Sequence, residues 1–422
     1  MIIRSKRKSI SGILPVLLLS VSLNGQVLSK ESPEKEGLSS DRLNRIDSLL
    51  QNLVDHQKLV GVVTMVARHG KIVHSTHIGM MDIATNKTIQ LNTIFRIASM
   101  SKPIISVAAM TLYEKGCFQL NDPVSKYIPE FKDLRVYTKK EDQTRGILKR
   151  EMTIQDLLRH TSGLTYGLFG NTPVDSMYNS ANVLDENGTL KDMIHKLAQI
   201  PLLYQPGEQW NYSVSTDVLG YLIEVISGKS LDEFLKESIF DPLGMKNTGF
   251  FVPEGELNRL ATLYTVSKEG KLMPSNVNKL RYSKKPSFLS GGGGLFSTID
   301  DYMIFSQMLL NKGELNGKRI LSPKTVELMT MNHVPDQVMP IKLGFLVDGH
   351  GFGLGFRVLT DIPQSATLGS PGSYGWFGIF GTYFYIDPKE DLIGIFMTQF
   401  RGPSSYPGVK EFQVLMYQSI IN

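Results

Sequence analysis

The stretch Phe95-Arg-Ile-Ala-Ser-Met-Ser-Lys-Pro-Ile-Ile-Ser106 sets three serines and a lysine at the mouth of an apolar run. If a helix starts here, Ser99 and Lys102 share one face, whereas the adjacent Ser101 and Lys102 do not meet. Ser106 shares the lysine's face but lies a turn deeper in the apolar run. At a helix start the unpaired N–H groups and the positive dipole end favour negative charge developing on Ser99. A serine hydroxyl needs a base to act as a nucleophile. A lysine stripped of part of its water by Ile97, Met100 and Ile104 is the candidate for that base. The pattern Ser-x-x-Lys is short and also occurs at Ser5–Lys8 and Ser32–Lys35. A capping serine beside an unrelated lysine would read the same way. Only Ser99–Lys102 opens an apolar helix directly after a strand-like segment.

Two further stretches add groups that a hydrolytic site needs. In Gln205-Pro-Gly-Glu-Gln-Trp-Asn-Tyr-Ser-Val-Ser215 the Pro-Gly pair makes a turn, and Tyr212 follows it just ahead of a helix. A phenol projecting from that loop toward Lys102 could take the proton from Ser99 and pass it to a leaving group. A core tyrosine is the alternative, in a chain with 16 of them. In Gly372-Ser-Tyr-Gly-Trp-Phe-Gly-Ile-Phe-Gly-Thr-Tyr-Phe384 four glycines are interleaved with aromatics. Glycine in a strand marks a close approach of something to the backbone. A substrate carbonyl docking on backbone N–H groups fits, and so does a tightly packed bulge.

The elements that must position these groups are legible from periodicity. Leu43, Ile46, Leu49, Leu50 and Leu53 have helical spacing between Ser40 and His56. Val60 to Ile78 is rich in β-branched residues and broken by His69-Gly70, a hairpin signal. An apolar helix runs through about Leu112. From about Asn121 to Phe288 helical segments alternate with turns. Thr153-Ile-Gln-Asp156 has the form of a capping box, and Ser215–Ile226 is a helix ended by Ser227-Gly228. Gly291–Gly294 reads as a flexible bend before a helix that starts at Thr298. Gly381–Ile386 and Leu392–Phe400 flank the turn signal Asp387-Pro388, and Val409–Ile420 closes the chain as a helix. The expected architecture is α+β: an antiparallel sheet built from both ends of the chain, flanked by terminal helices, with a mostly helical insert. In residue terms, 39–120 and 289–422 form the sheet domain and 121–288 the helical one.

Composition narrows the function classes. The 422 residues are 41% hydrophobic and 20% charged, which is ordinary for a globular protein. Arg4, Lys6, Arg7 and Lys8 account for all but one of the net charge of +5, so no nucleic-acid footprint is expected. That basic start precedes an apolar stretch from Ile10 to Leu23, the layout of a secretory signal peptide over 1–25. Residues 26–38 read as a linker. The apolar stretch is short for a membrane span, and no span is expected after signal removal; an uncleaved anchor is the alternative. The single Cys117 leaves no internal disulfide, which suits a bacterial periplasm or secretion from such a cell. Neither a metal nor an organic cofactor is called for. His74 and His77 on a strand point to opposite faces. Gly291–Gly294 lacks the Lys-Ser/Thr of a phosphate loop. No serine sits in a Gly-x-Ser-x-Gly elbow. His160, in Arg159-His-Thr-Ser-Gly163, reads as part of a helix end and turn.

Taken in order, the stretches at 95–104, 157–164, 206–224 and 290–302, with the terminal hairpin, resemble the serine β-lactamase and penicillin-binding-protein superfamily, and within it the class C-like branch with the family-eight carboxylesterases. The resemblance implies a β-lactamase/transpeptidase-like fold and an acyl-enzyme mechanism. It assigns acylation to Ser99 and proton transfer to Lys102 and Tyr212. It aligns Trp376-Phe377-Gly378 with the family's third motif and gives the oxyanion to the N–H groups of Ser99 and Ile379. That third motif is Lys-Thr-Gly or His-x-Gly in the family, so Trp376 stands where a cation is usual. Val214 stands where the tyrosine motif often has asparagine. Trp376, Phe377, Gly378 and Val214 are therefore the expected substrate-binding set, in an apolar cleft. The expected function is an exported serine hydrolase acting on a small-molecule ester or amide, with an ester favoured. A class C-like β-lactamase, a D-amino-acid peptidase, or a cell-wall-fragment sensor that never turns over are the alternatives.

Overall fold

The computed structural model describes residues 28–140, 143–275, 277–343, 347–402 and 407–422. The expected signal peptide lies outside them. Helix α1 (Ser40–Asp55) begins where the Ser39 hydroxyl accepts from the Arg42 N–H, and it buries Leu43, Ile46 and Leu50 as one stripe. Strands β1 (Gly61–Arg68) and β2 (Lys71–Asp82) follow. Their connection, His69-Gly70, is left-handed at both residues, the geometry that matches the twist of a two-residue hairpin. A two-residue strand β3 (Lys87–Thr88) pairs with β2. Helix α2 (Ser101–Glu114) is buried from Ser101 to Leu112.

After α2 comes the mainly helical stretch, centred on α3 (Ser215–Ser227), which packs against α2 and against the short helix Ile154–Leu158. The expected capping box at Thr153–Asp156 and the left-handed Gly228 stop are both present. Two small hairpins, Val136–Lys140 with Gln143–Gly146 and Tyr264–Val266 with Leu272–Pro274, interrupt a region that reads as helix and turn. Helix α4 (Ile299–Leu310) returns the chain to the sheet. Then come β4 (His350–Phe352), β5 (Arg357–Leu359), β6 (Tyr374–Gly378), β7 (Thr382–Asp387), β8 (Leu392–Thr398) and α5 (Val409–Gln418).

The eight strands form one sheet in the order β4-β5-β6-β7-β8-β1-β2-β3, with every neighbouring pair antiparallel. The two ends of the chain meet at β8 and β1, in a register running from Val62 opposite Thr398 to Arg68 opposite Leu392. Every residue of β1 is buried, so both faces of the sheet's centre are covered. Helices α1 and α5 pack on one another and on β2 and β8, while α4 packs on β1, β7 and β8. The short strands β4 and β5 were not legible as strands; each has only three residues, with Gly351 at the centre of β4.

The segment read as a linker is docked. Leu38 is wholly buried, the Glu31 N–H donates to the Ile72 carbonyl, and the Ser39 N–H donates to Ser419. Arg68 adds to this: its Nη1 lies 3.0 Å from the carbonyls of Glu36, Gly37 and Asn422 and donates to them, tying both ends of the described chain to the sheet.

His350, at the start of β4, is buried, and burial first, then the charge of Arg357, push its pKa from the ordinary 6.5 to about 3. The folded state therefore stays unprotonated at this residue while the unfolded chain takes up a proton below 6.5. Stability from this group is full above that pH and is lost as pH falls toward 3, at about 1.4 kcal/mol per unit. In chemical denaturation between pH 6 and pH 4, His350→Gln is expected to flatten the decline by that slope.

Candidate active site

The turn that presents Ser99 is built by backbone constraint. The chain leaves the strand Phe95–Arg96, which pairs with Phe296–Ser297, and Ala98 then adopts φ = 45°. That conformation is uncommon for a residue with a Cβ. It lets a single 3-10 turn, Ala98–Met100, lead straight into α2. Ser99 is half-exposed while Ala98, Met100, Ser101 and Lys102 are buried. Strand β6 docks on this turn. A Cβ at Gly378 would lie 2.3 Å from the Ile97 carbonyl oxygen and 2.4 Å from Thr382 Oγ1, and Thr382 Oγ1 donates to that carbonyl at 3.2 Å. The close approach signalled by a glycine in this strand is thus made, in this structure, by the backbone leading to Ser99.

Lys102 is 1% exposed, so each of its three N–H donors needs an acceptor. Lys102 Nζ donates to Ser99 Oγ at 3.3 Å, to the Tyr166 hydroxyl at 2.8 Å and to the Gly292 carbonyl at 2.6 Å. It also lies 4.6 Å from the ring centroid of Tyr212 and 5.2 Å from that of Tyr166. The pairing of Ser99 with Lys102 is the one the i, i+3 spacing predicts.

The Gly292 carbonyl is itself held. Asp217, on α3, is wholly buried, and its Oδ1 accepts from the Gly292 N–H at 2.9 Å and from Ser290 Oγ at 2.6 Å. The backbone of one residue, through its N–H on one side and its carbonyl on the other, thus links a buried carboxylate to a buried ammonium. Burial raises the Asp217 pKa, with the charge of Lys102 and the two hydrogen bonds opposing the rise. The glycine run is therefore a fitted piece of backbone and not the flexible bend expected of it. A Cβ at Gly291 would lie 2.5 Å from the Thr216 carbonyl, and one at Gly292 would lie 2.4 Å from Asp217 Oδ2 and 2.7 Å from the Tyr166 hydroxyl. Burial, with the neighbouring Asp217 and Tyr212, pushes the Tyr166 pKa well up, so its phenol keeps its proton.

Tyr212 is in the same crevice but is turned differently from the expected relay. Its hydroxyl accepts from Trp376 Nε1 at 3.4 Å, and among the described residues it makes no hydrogen bond to Ser99 or Lys102. The lysine meets the face of its ring, and the phenol that bonds the lysine is Tyr166. Aromatic rings surround Tyr212: Tyr166 at 5.3 Å, Trp376 at 5.5 Å, Phe169 at 6.1 Å and Trp210 at 6.3 Å between centroids. Phe169 is 58% exposed and forms an apolar lip.

The expected substrate-binding set divides. Trp376 has no exposed surface and stacks on Phe377 at 4.5 Å. Phe377 and Gly378 are buried, and Ile379, which follows, is half-exposed. Val214 is wholly buried at the start of α3, where its carbonyl accepts from Asp217 and Val218; it packs and offers no surface to a ligand. Ser101 is buried, with Oγ accepting from the Leu295 N–H at 3.1 Å. His160 is buried 4.9 Å from the Tyr212 ring, and burial first, then Lys102, hold its pKa well below the usual range, so it is neutral. Among the described residues no cluster suited to a metal occurs.

Sequence reading missed Tyr166, Asp217 and Gly292. Asp217 left a signal: it stands in the apolar helix read over Ser215–Ile226, where an unpaired carboxylate would be costly. Tyr166 left none beyond its place after the Thr161-Ser162-Gly163 turn.

The family model described as Beta-lactamase matches residues 46–415 of this chain. Protein Rv1367c of Mycobacterium tuberculosis (strain ATCC 25618 / H37Rv) is 37% identical over 363 residues, covering 83% of this chain and 88% of its own. Esterase EstB of Burkholderia gladioli is 28% identical over 376 residues, covering 84% and 89%. A putative D-alanyl-D-alanine carboxypeptidase of Salmonella agona is 29% identical over 420 residues, covering 90% and 89%. Among solved structures, EstCE1, a hydrolase with promiscuous acyltransferase activity, superposes with a TM-score of 0.78 at 27% identity, over 90% of this chain and 99% of its own.

Removing the acceptor that holds the Gly292 peptide should loosen Lys102 without touching Ser99. Asp217→Ala is expected to slow acylation of Ser99 by a fluorophosphonate about tenfold or more, the scale of one or two lost buried hydrogen bonds to charged groups. Stopped labelling at timed intervals measures it.

Proposed function

The chain belongs to the beta-lactamase family and is a serine hydrolase; on that premise we propose that it cleaves a carboxylic ester of a small molecule through an acyl-enzyme on Ser99. The observation that carries the reading is the 3.3 Å contact between Lys102 Nζ and the half-exposed Ser99 Oγ, beside the packed rings of Tyr166, Tyr212 and Trp376. In the neutral form of Lys102, Nζ takes the proton of Ser99 Oγ as the new C–O bond forms. The N–H groups of Ser99 and Ile379 receive the oxyanion, whose charge develops beside the start of α2. Collapse breaks the bond to the leaving oxygen, which leaves with a proton from the Tyr212 hydroxyl; Lys102 returns its proton to that phenol. Water then attacks the acyl carbon, giving its proton to the Lys102–Tyr212 pair, and Ser99 is released with its proton restored. Tyr212 comes within reach by leaving Trp376 when substrate enters, since catalytic hydrogen bonds often close only in the complex. Tyr166 keeps Lys102 in place.

The preference for an ester over a β-lactam rests on the group that Trp376 replaces. At Trp376 an indole stacked on Phe377 stands where relatives with Lys-Thr-Gly hold a substrate carboxylate. A missing charge-assisted contact costs about one to two powers of ten in affinity. The relatives include an esterase and a putative carboxypeptidase, and the apolar wall favours the first. Export by a signal peptide at 1–25, to the periplasm or the medium, completes the proposal; among the described residues no helix is long and apolar enough to cross a membrane.

Ser99→Ala is expected to lower turnover of 4-nitrophenyl butyrate by about a thousandfold or more and to abolish phosphonate labelling. Full activity in that variant would reject the assignment. The wild type should hydrolyse the aryl ester faster than a chromogenic cephalosporin, and the reverse order would move the chain to the β-lactamase side. Stoichiometric labelling with no turnover of either substrate would identify a sensor. Tyr212→Phe should lower kcat on an alkyl ester, whose poor leaving group needs a proton, far more than on the aryl ester. Equal losses on both would remove Tyr212 from the proton path.

A further inference from the structure

Arg96 stands three residues before Ser99 on the strand that delivers it, and the mechanism does not use it. Its backbone is clamped by Gln399, whose Oε1 accepts from the Arg96 N–H at 2.7 Å and whose Nε2 donates to the Arg96 carbonyl at 3.3 Å. The guanidinium lies between two rings, 4.3 Å from the centroid of Phe380 and 5.1 Å from that of Tyr282. Phe380 directly follows Ile379, at the turn between β6 and β7. Arg281 lies over the same Tyr282 ring at 5.3 Å. Arg96, Ile379, Phe380 and Tyr282 are all half-exposed, so the stack lies at a rim and not in the core.

Aromatic faces satisfy a guanidinium's planes but leave its N–H edge, with its fork of donors, unused. Among the described residues the Arg96 side chain makes no ion pair and donates no hydrogen bond, whereas Arg281, over the same Tyr282 ring, is paired with Glu186. Loss of water and then the proximity of Arg281 weigh against its charge, with Tyr282 and Glu186 in partial relief. A half-buried arginine held rigid, flanked by rings and short of an acceptor suits an anion that arrives with a ligand.

We infer that Arg96, between Tyr282 and Phe380, is an anion subsite at the rim of the Ser99 crevice, and that it takes a carboxylate carried at the far end of the substrate's acyl chain. The inference rests on the esterase reading above. In that reading Tyr212 and Trp376 occupy the leaving-group side, so the acyl chain runs past Ile379 toward Phe380. Three residues separate Ser99 from Arg96, so their Cα atoms lie at most about 11 Å apart, and a short diacid is the one to test. This site is separate from the third-motif position, where Trp376 has displaced a cation on the strand itself.

The test compares the mono-4-nitrophenyl esters of glutaric and adipic acid with neutral 4-nitrophenyl butyrate and hexanoate. The wild type is expected to show a lower KM for the diacid monoesters, an advantage that shrinks as salt rises. Arg96→Gln should raise the ratio of anionic to neutral KM about tenfold or more, and Arg96→Lys should recover part of it. If the wild type shows no such preference, or if Arg96→Gln moves both substrate pairs alike, the subsite is rejected. Should Arg96→Gln fail to fold, the salt dependence of the wild type and the ratio in Arg96→Lys decide the matter. Ser99-dependent cleavage of the neutral esters without anion preference sinks this inference alone, whereas no cleavage of any ester sinks the reading beneath it.

Discussion

A buried ammonium must find an acceptor for each of its protons, and much of the site follows from that requirement at Lys102. Removed from water, the cation would be costly if any N–H were unpaired. Three distant parts of the chain supply the acceptors: a hydroxyl from the turn before α2, a phenol from the loop after residue 163, and a peptide carbonyl from the run before α4. Asp217 adds the opposing buried charge and fixes that carbonyl through its own N–H. The glycines at 291 and 292 are there because no side chain fits between these groups. Sheet, helical region and glycine loop are thereby locked at one point.

The second constraint is the aromatic enclosure. Tyr166, Phe169, Trp210 and Trp376 pack around the Tyr212 ring, and the rings of Tyr166 and Tyr212 flank the lysine. Ring faces carry partial negative charge toward the cation and exclude water from its hydrogen bonds. Both effects strengthen the electrostatics at Ser99, because field lines in a dry site are less screened. In the proposed reading the same enclosure gives a β-lactam carboxylate no partner at Trp376, while Arg96, beside Phe380, is the cation in want of one.

Fold and site differed in how far they could be read ahead of the structure. The sheet from both chain ends, α1, the first hairpin and α3 were legible because their signals are local: a 3.6-residue apolar period, β-branched runs and a two-residue turn. The meeting of Ser99 with Lys102 was legible for the same reason, since both lie within one helical turn. Strands β4 and β5 were not, since each is only three residues long, with Gly351 at the centre of β4, too little for a period to show. The docking of residues 30–38 was not, because it is made by backbone pairing with Ile72 and by Arg68, and the backbone groups involved carry no sequence identity.

What the amino-acid order determined by itself was the set of segments and the contact between Ser99 and Lys102, through forces acting over a few residues. What only the tertiary structure decided was which phenol bonds the lysine. Tyr166 and Tyr212 are chemically alike and each follows a turn, so nothing local ranks them. The choice falls to whichever hydroxyl lies within bonding distance of a nitrogen fixed from elsewhere, and in this fold Trp376 holds Tyr212 while Tyr166 reaches Lys102. That outcome depends on how β6, α2 and α3 pack, a relation set by surfaces brought together from opposite ends of the chain.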